Sequence, residues 1–137
     1  MIATLVDSNV LIDIATRDPV WFEWSSEHLV AATDAGRTLL NQVIFSEVGA
    51  GYRDRARLDR ALSEVALERQ SLPWPAAHLA GQRFRDYRRA GGRRDRTLPD
   101  FLIGAHAETE GLRLLTRDTR VYRRWFPAVT LISPLRV

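Results

Sequence analysis

The segment that most constrains this chain is its beginning. An apolar run from Ile2 to Val6 ends in Asp7, and after the small polar pair Ser8 and Asn9 a second apolar segment runs from Val10 to Ala15. The first run has β character and the second reads as a short helix, so the pattern predicts strand, acidic corner, helix. In an open parallel α/β sheet such a corner lies at the carboxyl edge of the strands, which is where ligands bind. Asp7 is therefore the first member of a candidate site. Later segments join it only if the same geometry delivers them to the same edge.

The rest of the chain keeps the alternation going. Asp18 and Pro19 open a helix to about Ala35, and its first turn carries Trp21, Phe22 and Trp24. Three aromatics in one turn are more than a small core readily takes, so Trp21 and Trp24 are expected either to meet a partner chain or to be core. Thr38 to Asn41 reads as a strand, followed by a segment bearing Ser46 and Glu47 and by an amphipathic helix from Arg53 to Arg69. Ser71 to Trp74 contains Pro73 and can be no more than an irregular or edge strand. Pro75 to Arg89 is helical and Gly91 with Gly92 breaks it. Thr97 to Glu110 is apolar nearly all round, which predicts a central helix, and Thr97 with Asp100 has the spacing of a capping box. Leu112 to Thr116 is a strand, Arg117 and Asp118 a corner, Thr119 to Trp125 a short helix and Val129 to Ile132 a last strand. The order predicts an α/β fold: one domain over residues 1–137, with a parallel sheet of four or five strands flanked by helices on both faces.

Composition narrows the chemistry. The chain has 137 residues and no cysteine, so disulfides and thiolate metal sites are excluded, and a reducing cytoplasmic setting is expected. The N-terminus lacks a basic segment followed by an apolar one, and no apolar run approaches the ~20 residues of a membrane span, so a soluble protein is expected. All 20 basic residues are arginine. That bias suits bidentate phosphate contacts, and it equally suits a GC-rich genome. Arginines cluster from Arg83 to Arg96, and Arg93, Arg94 and Arg96 are candidates for RNA contact or for a solvated face.

Four acids stand where a strand or loop hands over to a helix: Asp7, Glu47, Asp100 and Asp118. Each has a structural explanation, since acids stabilise helix N-termini by about 1 kcal/mol or less. Together they are more informative. Parallel topology puts all such corners on one edge, where converging carboxylates repel one another unless a hard cation neutralises them. Mg²⁺ or Mn²⁺ has the required preference for oxygen ligands, and such an ion suits phosphodiester hydrolysis. His28, His78 and His106 share no ligand spacing, Ser8 and Ser46 have no triad companions, and the glycines form no phosphate loop.

The run LVDSNVLID with Asp7, the segment FSEVGAGY with Glu47, the helix LPDFLIGAHA with Asp100 and the strand LRLLTRD with Asp118 resemble the four motifs of PIN-domain nucleases. In size and order they look most like the VapC toxins of bacterial toxin-antitoxin pairs. The resemblance covers Ile2 to Pro134. It implies a Mg²⁺- or Mn²⁺-dependent endoribonuclease with Asp7, Glu47, Asp100 and Asp118 catalytic, and Asp7, Asp100 and Asp118 as the metal ligands. It implies hydrogen-bonding support from Asn9 and Thr116, products with 5′-phosphate ends, a homodimer, and a cognate antitoxin bound near the site. Pro99 before Asp100 and the Gly49-Ala50-Gly51 run after Glu47 depart from the pattern, and Glu47 is the least securely placed of the four. A non-catalytic RNA-binding module and a structure-specific DNA nuclease of related fold are the alternatives.

Overall fold

The computed structural model describes residues 2–92 and 96–134. Strand β1 (Ile2–Val6) leads into α1 (Ser8–Thr16), α2 (Phe22–Ala35) and β2 (Gly36–Leu40), followed by α3 (Gln42–Gly49), α4 (Arg55–Ser63) and β3 (Leu67–Arg69). The chain continues through α5 (Trp74–Arg89), α6 (Leu98–Glu110), β4 (Arg113–Leu115), α7 (Arg120–Trp125) and β5 (Leu131–Ile132). The five strands pair in the order β3-β2-β1-β4-β5, every neighbouring pair parallel. A parallel pair cannot be joined by a hairpin, so a helical crossover follows each strand but the last. The right-handed rule for such crossovers puts α1 to α4 on one face and α5 to α7 on the other. The α/β sandwich and the parallel sheet thus follow the sequence expectation.

Strand β1 is central because it is apolar on both faces. Leu5 and Val6 are buried against one layer or the other, as are Leu39 on β2 and Leu114 and Leu115 on β4. On α6, Phe101, Ile103, Ala105 and Ala107 are all fully buried, which explains a helix with no polar stripe. Gly104 lets the ring of Phe126 lie against the α6 backbone, where an added Cβ would come within 2.5 Å of a ring carbon. Burial of a large apolar side chain contributes about 1.5–3 kcal/mol, so this seam between α6 and the sheet is a main support of the edge that carries the acids. Helix α2 enters β2 without a loop. Gly36 begins that strand opposite Ile2, and any Cβ there would collide with the Ile2 carbonyl.

Three elements differ most from the sequence expectation. The helix expected from Arg53 to Arg69 stops at Ser63, and its last residues turn into β3, while Ser71 to Trp74, expected as an irregular or edge strand, holds no strand. Pairing with β2 overrides helical periodicity here: Leu67 to Arg69 align with Thr38 to Leu40, Thr38 Oγ1 donates to the Ala66 carbonyl at 2.7 Å, and the Gln70 N–H donates to the Leu40 carbonyl at 2.9 Å. Helix α2 begins at Phe22 rather than Pro19, because the Asp18 carboxylate accepts from the N–H groups of Val20 and Trp21, both at 2.9 Å, and folds the intervening residues into a turn. Among the described residues no helix is long and apolar enough to cross a membrane.

Candidate active site

The parallel sheet brings the acids together from four separate elements. Asp7 follows β1 and caps α1 with extended backbone, accepting the Ser8 N–H at 2.8 Å. Asp118 follows β4, Asp100 stands in the first turn of α6, and Glu47 is on α3. Asp7, Asn9, Asp100, Asp118 and Tyr122 line one cleft of about 50 Å³. Glu47 does not line it but is tied to its edge by Ser8, whose Oγ donates to Glu47 Oε1 at 3.0 Å. The structure therefore groups Asp7, Asp100 and Asp118 most closely, with Glu47 beside them.

A continuous hydrogen-bond network fixes Asp7. Thr116 Oγ1 donates to Asp7 Oδ2 at 2.9 Å and accepts from Asn9 Nδ2 and from the Asp118 N–H, both at 3.1 Å. Asn9 Oδ1 accepts from the Arg117 N–H at 3.2 Å. Asn9 and Thr116 thus sit where supporting hydrogen-bonders were expected, joining the turn after β1 to the turn after β4. Tyr122 adds a donor the sequence reading missed: its hydroxyl donates to Asp7 Oδ2 at 3.0 Å. Burial, and then the charge of Asp7, hold the Tyr122 phenol well above its usual titration range, so it stays a donor. The signal was there in the i,i+4 spacing from Asp118, but nothing local says that α7 turns this side toward β1.

Crowding and burial set the charge state. Burial raises the Asp7 carboxyl to about 6, against hydrogen bonds from Thr116, Tyr122 and Ser8, and the charge of Glu47 adds to the rise. Glu47 is raised by partial burial, opposed by the Ser8 bond and helped by the charge of Asp100. Asp100 is raised by burial and then by Asp118. Asp118 goes the other way: burial pushes it up, but hydrogen bonds from Arg120 and the charges of Arg96 and Arg120 outweigh that and leave it low.

Of the three arginines proposed for RNA, Arg93 and Arg94 lie outside the described residues. Arg96 points into the site: its side chain is only 14% exposed and its Nη1 stands 3.2 Å from Asp118 Oδ2, with Arg120 Nε 3.3 Å from the other oxygen. Arg96 is thus a counter-ion of Asp118.

The capping-box reading of Asp100 holds only by half. The Thr97 side chain makes no cap bond, whereas the Thr97 N–H does stabilise the Asp100 carboxylate. His106 is fully buried, with Nδ1 2.9 Å from Asn41 Nδ2 and, among the described residues, no hydrogen-bond partner for Nε2. Trp21 and Trp24 are both half-buried. Trp24 packs against the core and stacks on His28 with ring centroids 4.2 Å apart, and the Arg117 guanidinium lies 5.5 Å over the Trp21 ring.

That arginine belongs to a second feature missed in the sequence. Asp13 is 1% exposed and receives Arg117 at two points, 2.7 and 3.0 Å, and Ser25 Oγ at 2.9 Å. A buried, bidentate pair of this kind pins the turn holding Thr116 and Asp118 to α1 and α2. Sequence showed only an acid ending the first motif and an arginine before Asp118, residues 104 apart.

The donor set of the cleft is all oxygen and net negative before its arginines are counted, which fits a hard divalent cation and not a soft one. Among the described residues no three Asp, Glu or His side chains stand close enough to hold one ion directly. A cation held between Asp7, Asp100 and Asp118 would take the rest of its shell from water and substrate, as Mg²⁺ commonly does.

Comparison with known proteins bears on the family and the fold. The family model of the PIN domain matches residues 4–126. No curated protein sequence matches the chain. Among solved structures, VapBC2 from Rickettsia felis, bound to a DNA fragment from its promoter, is similar with a TM-score of 0.76 and 15% identity over 96% of this chain and 98% of that one. DNA-bound VapBC from Salmonella typhimurium gives 0.71 and 22% over 97% and 98%. A toxin-antitoxin complex from Klebsiella pneumoniae gives 0.68 and 22% over 98% and 99%. At such identities the likeness is one of fold.

Proposed function

The chain belongs to the PIN-domain family, a family of nucleases, and from that premise we propose that it is a Mg²⁺- or Mn²⁺-dependent endoribonuclease, the toxin of a VapBC-type pair. The observation that carries the reading is the cleft itself. Three carboxylates from three elements, Asp7, Asp100 and Asp118, line one small space, and Asp7 is buried with its pKa lifted to about 6. A fold does not bury mutually repelling acids for stability, since each ionised group costs free energy unless paired. Their convergence supports a site whose occupant is positively charged.

Asp7, Asp100 and Asp118 would hold the cation in part through water, and Glu47, tied to Ser8, stands ready to orient a water at the cleft's edge. When bound, such an ion lowers the pKa of water and stabilises charge on a phosphodiester. The protein's own part is positional. Thr116, Asn9 and Tyr122 hold Asp7 in one rotamer, the Asp13–Arg117 pair fixes the turn carrying Asp118, and Arg96 with Arg120 places positive charge where a phosphate oxygen would approach. A homodimer and an antitoxin partner complete the proposal; support for the partner is that the similar solved structures include toxin-antitoxin complexes. Purified protein should cleave a single-stranded RNA in Mn²⁺ and not in EDTA. RNA binding without cleavage would favour a non-catalytic module, and cleavage of structured DNA alone would favour a DNA nuclease.

A further inference from the structure

A second cavity opens along the same edge of the sheet. Leu40 and Asn41 close β2, Gln70 and Ser71 follow β3, and between them lies a cavity of about 300 Å³. That places it on the carboxyl ends of β2 and β3, as the acidic cleft lies on the carboxyl ends of β1 and β4. Neighbouring strands stand about 4.8 Å apart, so the middle of the β2–β3 end is roughly 7 Å across the sheet from β1. Two nucleotides stacked at about 3.4 Å each cover that distance.

The walls have a definite chemistry. Phe45 of α3 lies under two guanidinium groups, Arg69 at 4.8 Å from the ring centroid and Arg55 at 5.6 Å. Asp59 holds both arginines, accepting from Arg69 at 2.7 Å and pairing with Arg55 at 3.3 Å, so the two cations share one anion and keep a net positive charge. The lining also offers amides. Gln70 Oε1 is buried with no hydrogen-bond partner among the described residues. Gln42 uses its Oε1 on the Leu72 N–H at 2.8 Å, and among the described residues its NH₂ group has no hydrogen-bond partner. Planar guanidiniums held over an aromatic ring form a stacking platform for an unstacked base, and free amide groups read a base edge.

We propose that this cavity is a nucleotide subsite that receives one base of the single-stranded RNA substrate, about two nucleotides from the scissile phosphate. The proposal rests on the ribonuclease reading above. Arg69 supplies the stacking surface, Arg55 the contact to the flanking phosphate, and Gln70 with Gln42 the discrimination among bases. The subsite thereby determines sequence preference, because the amide and phenol that line the acidic cleft, Asn9 and Tyr122, are already engaged with Thr116, Arg117 and Asp7.

The test uses the four 5′-ribonucleoside monophosphates, each titrated in EDTA into isotope-labelled full-length protein and followed by amide NMR shifts. Saturable shifts at Gln70 and Ser71, with one nucleotide preferred, are expected. Arg69→Ala should weaken that nucleotide about ten-fold, the scale of a lost stacking contact. Gln70→Ala should compress the differences among the four bases. In Mn²⁺, Arg69→Ala should raise KM for a single-stranded RNA about ten-fold with kcat little changed, and Arg55→Ala, an independent variant, should raise it several-fold. Shifts confined to the residues around Asp7 and Asp118, or unchanged affinity and KM in both arginine variants while the RNA is still cleaved, would overturn the subsite and leave the nuclease reading intact. Arg69-dependent nucleotide binding by a protein that cleaves no RNA would uphold the cavity's assignment and remove the nuclease reading instead.

Discussion

Replacing Asp7 by Asn separates the charge of the central acid from its shape. In the folded protein the Asp7 carboxyl titrates near 6, against an ordinary value of 3.8. A group raised on folding contributes stability that is fully present below its unfolded pKa and is lost as pH rises through its folded pKa. In metal-free wild-type protein the loss therefore falls between about pH 4 and pH 6. One pKa unit corresponds to about 1.36 kcal/mol, so the full effect is about 3 kcal/mol, of which about 2 kcal/mol falls between pH 4.5 and pH 7.5. Asp7→Asn cannot titrate. It does lose a good partner for the Ser8 N–H or for the Thr116 and Tyr122 hydroxyls, at a cost of about 1–3 kcal/mol, but that cost is nearly independent of pH. The observable is thus a difference of slopes: urea unfolding in EDTA at both pH values should show wild type losing about 2 kcal/mol more than Asp7→Asn on going to pH 7.5. Added Mn²⁺ should restore the wild type at pH 7.5 and leave the variant unmoved. Profiles for the two proteins that run parallel within about 0.5 kcal/mol would refute the argument that burial and crowding hold this carboxyl high.

Other perturbations probe the support of the site. Asp13→Asn, which leaves the Arg117 guanidinium without its buried partner, should destabilise the protein by about 3 kcal/mol, and a cycle with Arg117→Ala should show strong coupling between the two in urea unfolding. Arg96→Gln removes a cation that competes for Asp118, so half-maximal thermal stabilisation should need several-fold less Mn²⁺. Thr97→Ala should change the melting temperature by no more than a degree or two, because its hydroxyl makes no cap bond.

How far the sequence could be read depended on whether the signal was local. β1, its acidic corner and α6 were legible because apolar periodicity and breaking residues mark them within a few positions. β3 was not, since Val65 and Ala66 continue the helical spacing of Leu58 and Leu62 right up to Leu67, and only the partner strand β2 reveals that the backbone has left the helix. Asp7, Asp100 and Asp118 were legible by their place where a strand or loop meets a helix, whereas Glu47, expected at such a corner, lies in the last turn of α3 instead. The residues that hold them were partly legible: Asn9 and Thr116 stand next to the acids in sequence, while Tyr122, Ser8 and the Asp13–Arg117 pair act across the fold. Arg96 was read as a candidate for RNA contact or for a solvated face, although its side chain is almost enclosed beside Asp118. Pairings over such separations are set by topology, which hydropathy patterns do not encode.

Asp7, Asp100 and Asp118 are proposed to form a cation-dependent phosphodiesterase site, and the variant Asp100→Asn decides whether they do. A single-stranded RNA labelled at one end is incubated with wild type and with the variant, each in Mn²⁺ and in EDTA, while metal-free melting is followed in parallel. Because Asp100 is raised by burial and by the charge of Asp118, its neutral replacement should melt at the same temperature or higher without metal, gain less from Mn²⁺ and cleave no RNA, whereas wild type cleaves in Mn²⁺ alone and leaves 5′-phosphate ends. A folded Asp100→Asn protein that cleaves at the wild-type rate with undiminished metal stabilisation would contradict the claim.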